Sequence, residues 1–161
     1  MQISKSFFKN QKHTIKTSMY QDIISFIENS PRKIAKYGIR SFNNELNQYL
    51  MQKGWSINII LSRKSKITIN AYKDGIGLCT QTGNVARMYA DLLKLQAMYR
   101  NKTIIGAIYI IPQKECSKTI GQNVANFERL QNELTNVFNK VITFPLLIIG
   151  FNNEEQINGN N

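Results

Sequence analysis

Acid is scarce in this chain. Ten Asp or Glu stand against twenty-one Lys or Arg, giving a formal net charge of +11 over 161 residues. Histidine occurs once, at His13, with no second histidine or acid beside it, so it reads as a surface residue and not as a catalyst. Cysteine occurs twice, at Cys79 and Cys116. That number and spacing exclude a disulfide framework and give no zinc motif. They fit a reducing intracellular compartment, cytoplasm or nucleoid. No run of eighteen apolar residues exists, so no membrane span is expected. No internal repeat or linker interrupts the chain, and its length suits one domain, residues 1–161.

The basic charge is uneven. Residues 1–73 hold thirteen Lys or Arg against three acids, whereas residues 74–161 hold eight against seven. A basic face or arm of this kind meets a polyanion, and nucleic acid is the usual one, because neutralised phosphates release condensed counterions. Residues 1–18 contain four lysines and no acid. They read as a basic arm or surface segment. An organellar presequence stays open, although arginine is absent. The tail, 152–161, is polar.

Tyr20, Ile23, Ile24 and Ile27 mark a first helix, with Thr17 or Ser18 as its cap, and Phe42, Leu46, Tyr49 and Leu50 mark a second that stops at Gly54. Residues 55–61 and 67–72 read as strands joined by the basic turn Arg63–Lys66. Lys73-Asp74-Gly75 is a hairpin signal leading into a strand at 76–81. A helix is expected over 84–100, a buried strand over 103–111, a helix over 124–139 and a last strand over 144–150. The class is α/β, a central mixed sheet flanked by helices.

The hairpin at 67–81 carries the chemistry. Residues 69–81, Ile-Asn-Ala-Tyr-Lys-Asp-Gly-Ile-Gly-Leu-Cys-Thr-Gln, resemble the active-site hairpin of BglII/BamHI-type restriction endonucleases, a family of the PD-(D/E)XK nuclease superfamily. The resemblance runs on through the turn Thr82-Gly83-Asn84, the segment 86–95 and the strand at 103–111, and spans roughly 40–151, which implies a restriction-endonuclease-like core there. It implies an Asp at position 70, a Glu at 79 and a Glu or Gln at 81, which hold Mg²⁺ for phosphodiester hydrolysis. This chain has Asn70, Cys79 and Gln81 in those places. Asn70 keeps the shape of Asp without its charge, and a cysteine sulfur is too soft for Mg²⁺. No metal or other cofactor is therefore expected, and Mg²⁺ enters only if an acid comes from elsewhere. Glu45 is the auxiliary candidate. Glu115 and Asp74 are further acids, each with a plain reading as an exposed charge.

Contacts to DNA are expected from Arg63, Lys64, Lys66 and Lys73 flanking the hairpin, from Thr82, Gly83 and Asn84 in the turn, and from Arg87 and Lys94 on the next helix. Asn84 is also the natural N-cap of that helix. Three functions follow. The first is a DNA-binding protein with the nuclease fold but no chemistry, a non-catalytic or scaffolding subunit of a nucleoprotein complex. The second is an Mg²⁺-dependent endonuclease with a displaced carboxylate. The third is a protein-interaction subunit without DNA contact. A homodimer, the family's habit with palindromic sites, or a larger complex is possible for any of them.

Overall fold

Residues 2–8 and the apolar run 146–152 pair at one side of the sheet. The structure is a computed structural model that describes residues 1–9, 14–30, 34–35 and 38–153. His13 and residues 154–161 of the polar tail lie outside the described residues. In chain order the elements are β1 (Gln2–Phe8), α1 (Thr17–Glu28), α2 (Ile39–Gln52), β2 (Ser56–Ser62), β3 (Ile67–Lys73), β4 (Ile76–Thr80), α3 (Val85–Arg100), β5 (Gly106–Pro112), α4 (Lys114–Ile120), α5 (Phe127–Asn136) and β6 (Leu146–Asn152). The strands form one sheet in the order β1-β6-β5-β4-β3-β2. β4, β5 and β6 are parallel, and the outer pairings are antiparallel. The sheet is mixed and flanked by helices, as the α/β reading expects.

Strand alternation sorts the core into two layers. Ile76, Leu78, Ile108, Ile110, Leu147 and Ile149 face α1, α2 and α4. Cys79, Ala107, Tyr109, Ile111 and Ile148 face α3 and α5, where Met88, Leu92, Leu95, Leu130 and Leu134 meet them. β5 is buried at every residue, the mark of a strand covered on both faces. Each fully buried Leu or Ile stabilises the fold by about 1.5–3 kcal/mol before conformational entropy is set against it.

Two elements differ from the sequence reading. Residues 2–8 are not a free arm: they form the edge strand β1, paired along its length with β6. Its polar members, Ser4, Lys5 and Ser6, suit an edge that has one neighbour. Helix α4 was not expected, and the helix read at 124–139 begins only at Phe127, capped by Asn126, whose side chain accepts from the Arg129 N–H. The cap of α1 also differs. Lys16 holds the N-cap position without a side-chain bond, since an ammonium has no acceptor to offer the first N–H groups, and Thr17, one residue inside, accepts from the Tyr20 hydroxyl.

Candidate nucleic-acid interface

The β2–β3 ribbon changes face in mid-strand, and the site lies where it does so. Ile57 and Ala71 pair and pack toward α1 and α2. Ile59 and Ile69 also pair, yet they pack toward α3. Regular alternation would keep both pairs on one side. The switch falls on Asn58, whose φ is +54°, a left-handed conformation that asparagine tolerates better than most residues. Opposite it, the β3–β4 ladder ends at Ala71 and Leu78. The next step of that register sets Asn70 across from Cys79. There the Asn70 Oδ1 accepts the Thr80 N–H at 2.9 Å, a side chain taking the place of a backbone partner.

The parting strands open a cleft of about 660 Å³. α2 supplies Arg40, Asn43 and Asn44 to its walls, the ribbon supplies Asn58, Thr68 and Asn70, the end of β4 supplies Thr80 to Gly83, and α3 supplies Arg87, Asp91 and Lys94. Of the residues expected from sequence, the fold thus gathers Asn70, Gln81, Thr82, Gly83, Arg87 and Lys94. Cys79 is buried on the α3 side of the sheet. Asn84 caps α3, its side chain accepting the Arg87 N–H at 3.1 Å. Arg63, Lys64 and Lys66 are exposed on the turn at the free end of the ribbon. Lys73 is at the other end of β3, where its ammonium donates to the Lys53 carbonyl.

The other acids weighed from sequence do not line the cleft. Glu45 is on α2 but does not line the cleft. Glu115 is exposed on α4 and paired with Lys118 at 2.7 Å, which holds its carboxyl below the usual range. Asp74 sits in the β3–β4 turn at φ +46°.

One acid does lie in the cleft, and sequence reasoning passed over it. Asp91 is buried, 8% exposed. Its Oδ1 accepts from the Lys94 ammonium at 2.8 Å. Its Oδ2 accepts from the Gln81 amide at 2.8 Å and the Tyr109 hydroxyl at 3.1 Å. The Gln81 carbonyl in turn accepts the Gly83 N–H at 2.8 Å, which shapes the turn into α3. A Cβ on Gly83 would stand 3.0 Å from that carbonyl oxygen. The signal for Asp91 was its spacing: three residues after Met88 and four before Leu95, it occupies the buried stripe of α3.

This network sets the state of its neighbours. Burial, and after it the charge of Asp91, pushes the Cys79 thiol far above its ordinary range. It stays protonated at neutral pH and offers no thiolate. Burial raises Tyr109 in the same way, with Asp91 adding to it. Cys116, buried beside the Ile34 carbonyl, is pushed up to about 11. Above the ordinary thiol value of 9.0 the unfolded chain has lost protons that the folded chain keeps, so stability falls as pH rises. Thermal melts are therefore expected to be flat up to about pH 8 and to decline above it, less steeply in Cys79→Ala. A melting temperature that rises through that range would contradict the assignment.

The fold has counterparts among known proteins. The sequence model of the restriction endonuclease BglII/BglIII family matches residues 4–151. The chain belongs to the BglII restriction endonuclease family. The type II restriction enzyme OkrAI of Oceanobacter kriegii is 25% identical over 114 residues, 66% of this chain and 58% of that enzyme. The chain thus spans little more than half the length of that curated relative. The crystal structure of restriction endonuclease BglII complexed with a DNA 16-mer matches with a TM-score of 0.82 at 14% identity, covering 97% of this chain and 80% of that one. Free BglII matches with a TM-score of 0.75 at 15% identity, covering 97% and 82%. These likenesses establish the BglII fold. No helix among the described residues is long and apolar enough to cross a membrane.

Family membership implies Mg²⁺, and the donor set is the test of it. Hard dications take carboxylate oxygens, commonly from more than one residue. Here position 70 offers a neutral oxygen already holding the Thr80 N–H. Position 79 offers a protonated thiol. Asp91 has both oxygens engaged by donors, one of them a cation. Among the described residues no group of three or more His, Cys, Asp or Glu is gathered. The residues present do not suit Mg²⁺.

Proposed function

We propose that this protein binds DNA through the cleft and the basic ribbon turn and does not hydrolyse it, acting as a non-catalytic or scaffolding member of a nucleoprotein complex. The observation that carries this reading is the state of Asp91. Among the described residues the carboxylate lining the cleft is that of Asp91, whose oxygens accept from Lys94, Gln81 and Tyr109, so three of its roughly four lone-pair sites are taken before any ion arrives. Without an activated water and a cation at the phosphate, hydrolysis lacks its main stabilisation. The positive surface supports the binding half: among the described residues, three of the four charged ones lining the cleft are Arg40, Arg87 and Lys94, and the ribbon turn adds Arg63, Lys64 and Lys66. That BglII is known in complex with a DNA 16-mer makes duplex DNA the first polyanion to try.

A second reading, an Mg²⁺-dependent endonuclease with a displaced carboxylate, is favoured by one observation: Asp91 does stand beside Gln81 in the cleft. It would need Lys94 and Tyr109 to release that carboxylate. A subunit that meets only protein is the third, and salt separates it from the first. Retardation of a DNA duplex is expected with or without Mg²⁺, and log affinity should fall linearly with log salt at a slope of about 0.9 per phosphate contacted. Absence of binding at low salt would overturn the DNA reading. Whether the protein acts as a homodimer or within a larger assembly is part of the same proposal, and sedimentation with and without the duplex reports it.

A further inference from the structure

Among the described residues the cleft carries more basic than acidic side chains, the reverse of a cation site. A pocket for a hard cation turns oxygen acceptors toward its occupant. In this cleft the acceptors of Asn70, Gln81 and Asp91 are engaged within the protein, while the Asn43 Oδ1 is buried without a hydrogen-bond partner. The Asn70 carbonyl holds the Thr80 N–H, the Gln81 carbonyl holds the Gly83 N–H, and the Asp91 oxygens hold Lys94, Gln81 and Tyr109. Besides the Asn43 oxygen, several donors remain for a ligand. Asn70 has its amide N–H₂ group to offer once its oxygen is engaged. Lys94 keeps two of its three N–H bonds after pairing with Asp91 through one, and its side chain is 26% exposed. Arg40 and Arg87 are exposed on opposite walls. Three cations against one paired acid leave the cleft net positive with no metal present.

We infer that the cleft is an anion site that takes a backbone phosphate of DNA directly, on Lys94, Arg87, Arg40 and the Asn70 amide, with no bridging divalent ion. Asp91 is then a positioning residue: it aims the Lys94 ammonium, whose own charge disfavours a second cation there. This rests on the DNA-binding reading and says where in the molecule, and by what chemistry, the phosphate is held. The groups are those a phosphate needs: an ammonium as a point charge, guanidinium forks and a neutral amide donor.

The test is fluorescence anisotropy of a labelled duplex with the full chain, at constant ionic strength, in EDTA and in millimolar Mg²⁺. The wild-type affinity is expected to agree within about twofold between the two. Arg87→Gln with Lys94→Gln is expected to weaken binding by about tenfold or more and to lower the salt slope by about one to two, the mark of lost phosphate contacts. Asn70→Asp, which keeps the acceptor for Thr80 and adds one negative charge, is expected to weaken binding in EDTA by about tenfold. Its near-identical shape guards against a folding failure. Binding that requires Mg²⁺, or variants that bind as the wild type does, would overturn the inference. Inorganic phosphate as competitor at the same ionic strength is expected to leave the complex intact; displacement would assign the cleft to a small phosphate ligand instead. If the duplex binds with a steep salt slope but only Arg63, Lys64 and Lys66 variants weaken it, the phosphate sits elsewhere and the DNA reading stands. If no duplex binds at all, the DNA reading itself fails.

Discussion

Asn70→Asp with Cys79→Glu in one chain is expected to lose about 3–5 kcal/mol of folding stability in metal-free buffer and to regain part of it when Mn²⁺ is added. The loss comes from Cys79. Its side chain is 1% exposed, and Asp91 is close enough to raise its thiol further. A glutamate there buries a second carboxylate near the first, and only Lys94 is placed to compensate both. For a chain of this size such a loss lowers the melting temperature by on the order of 10 °C. A dication would relieve the repulsion, and whatever binds only the folded state stabilises it by mass action. Differential scanning calorimetry with a Mn²⁺ titration reads both effects. A double variant as stable as the wild type and indifferent to Mn²⁺ would show that position 79 is neither dry nor near Asp91.

Asp91→Asn gives the second large effect, and its sign is the informative part. All three partners of Asp91 are donors: an ammonium, an amide N–H₂ and a hydroxyl. An asparagine keeps one acceptor oxygen and turns a donor against at least one of them. Hydrogen bonds to a charged group are worth about 1.5–3 kcal/mol, and a buried partner left unsatisfied costs a similar amount. Lys94 can swing into solvent and the asparagine oxygen can keep Tyr109 and Gln81, so the cost is the weakening of those two bonds from charged to neutral, and a loss of about 2 kcal/mol is expected in urea unfolding. Carboxylates kept for chemistry behave the other way, because active sites trade stability for function and neutralising them commonly stabilises. A more stable Asp91→Asn would therefore argue for a catalytic role and against a structural one.

Much of the fold was legible because its helices carry clean stripes. Met88, Leu92 and Leu95 in α3, and Phe42, Leu46 and Leu50 in α2, recur at helical spacing and are buried. β5 announces itself as an unbroken apolar run ended by Pro112. β1 was not legible, because an edge strand with one partner needs no continuous apolar face, and its lysine and serines read as a solvated arm. α4 was hidden by its length: seven residues, mostly polar, with only Cys116, Ser117 and Ile120 turned inward. The hairpin positions at the site could be read from Asn70 to Gln81, but Asp91 could not be assigned a partner from sequence. Tyr109 lies eighteen residues further along the chain and joins it only because β5 lies beside β4 in parallel register, with Tyr109 opposite Cys79. The left-handed Asn58 was equally silent, since it depends on the ribbon exchanging faces.

The central claim is that the cleft holds a phosphate and leaves it intact. Incubating supercoiled plasmid with excess protein and Mg²⁺ or Mn²⁺, at a salt where retardation of the same plasmid is complete, tests it most directly. The account predicts bound plasmid that stays supercoiled after removal of the protein. Metal-dependent conversion to nicked or linear DNA that disappears in Asp91→Asn would contradict it and identify Asp91 as the displaced carboxylate of a working nuclease.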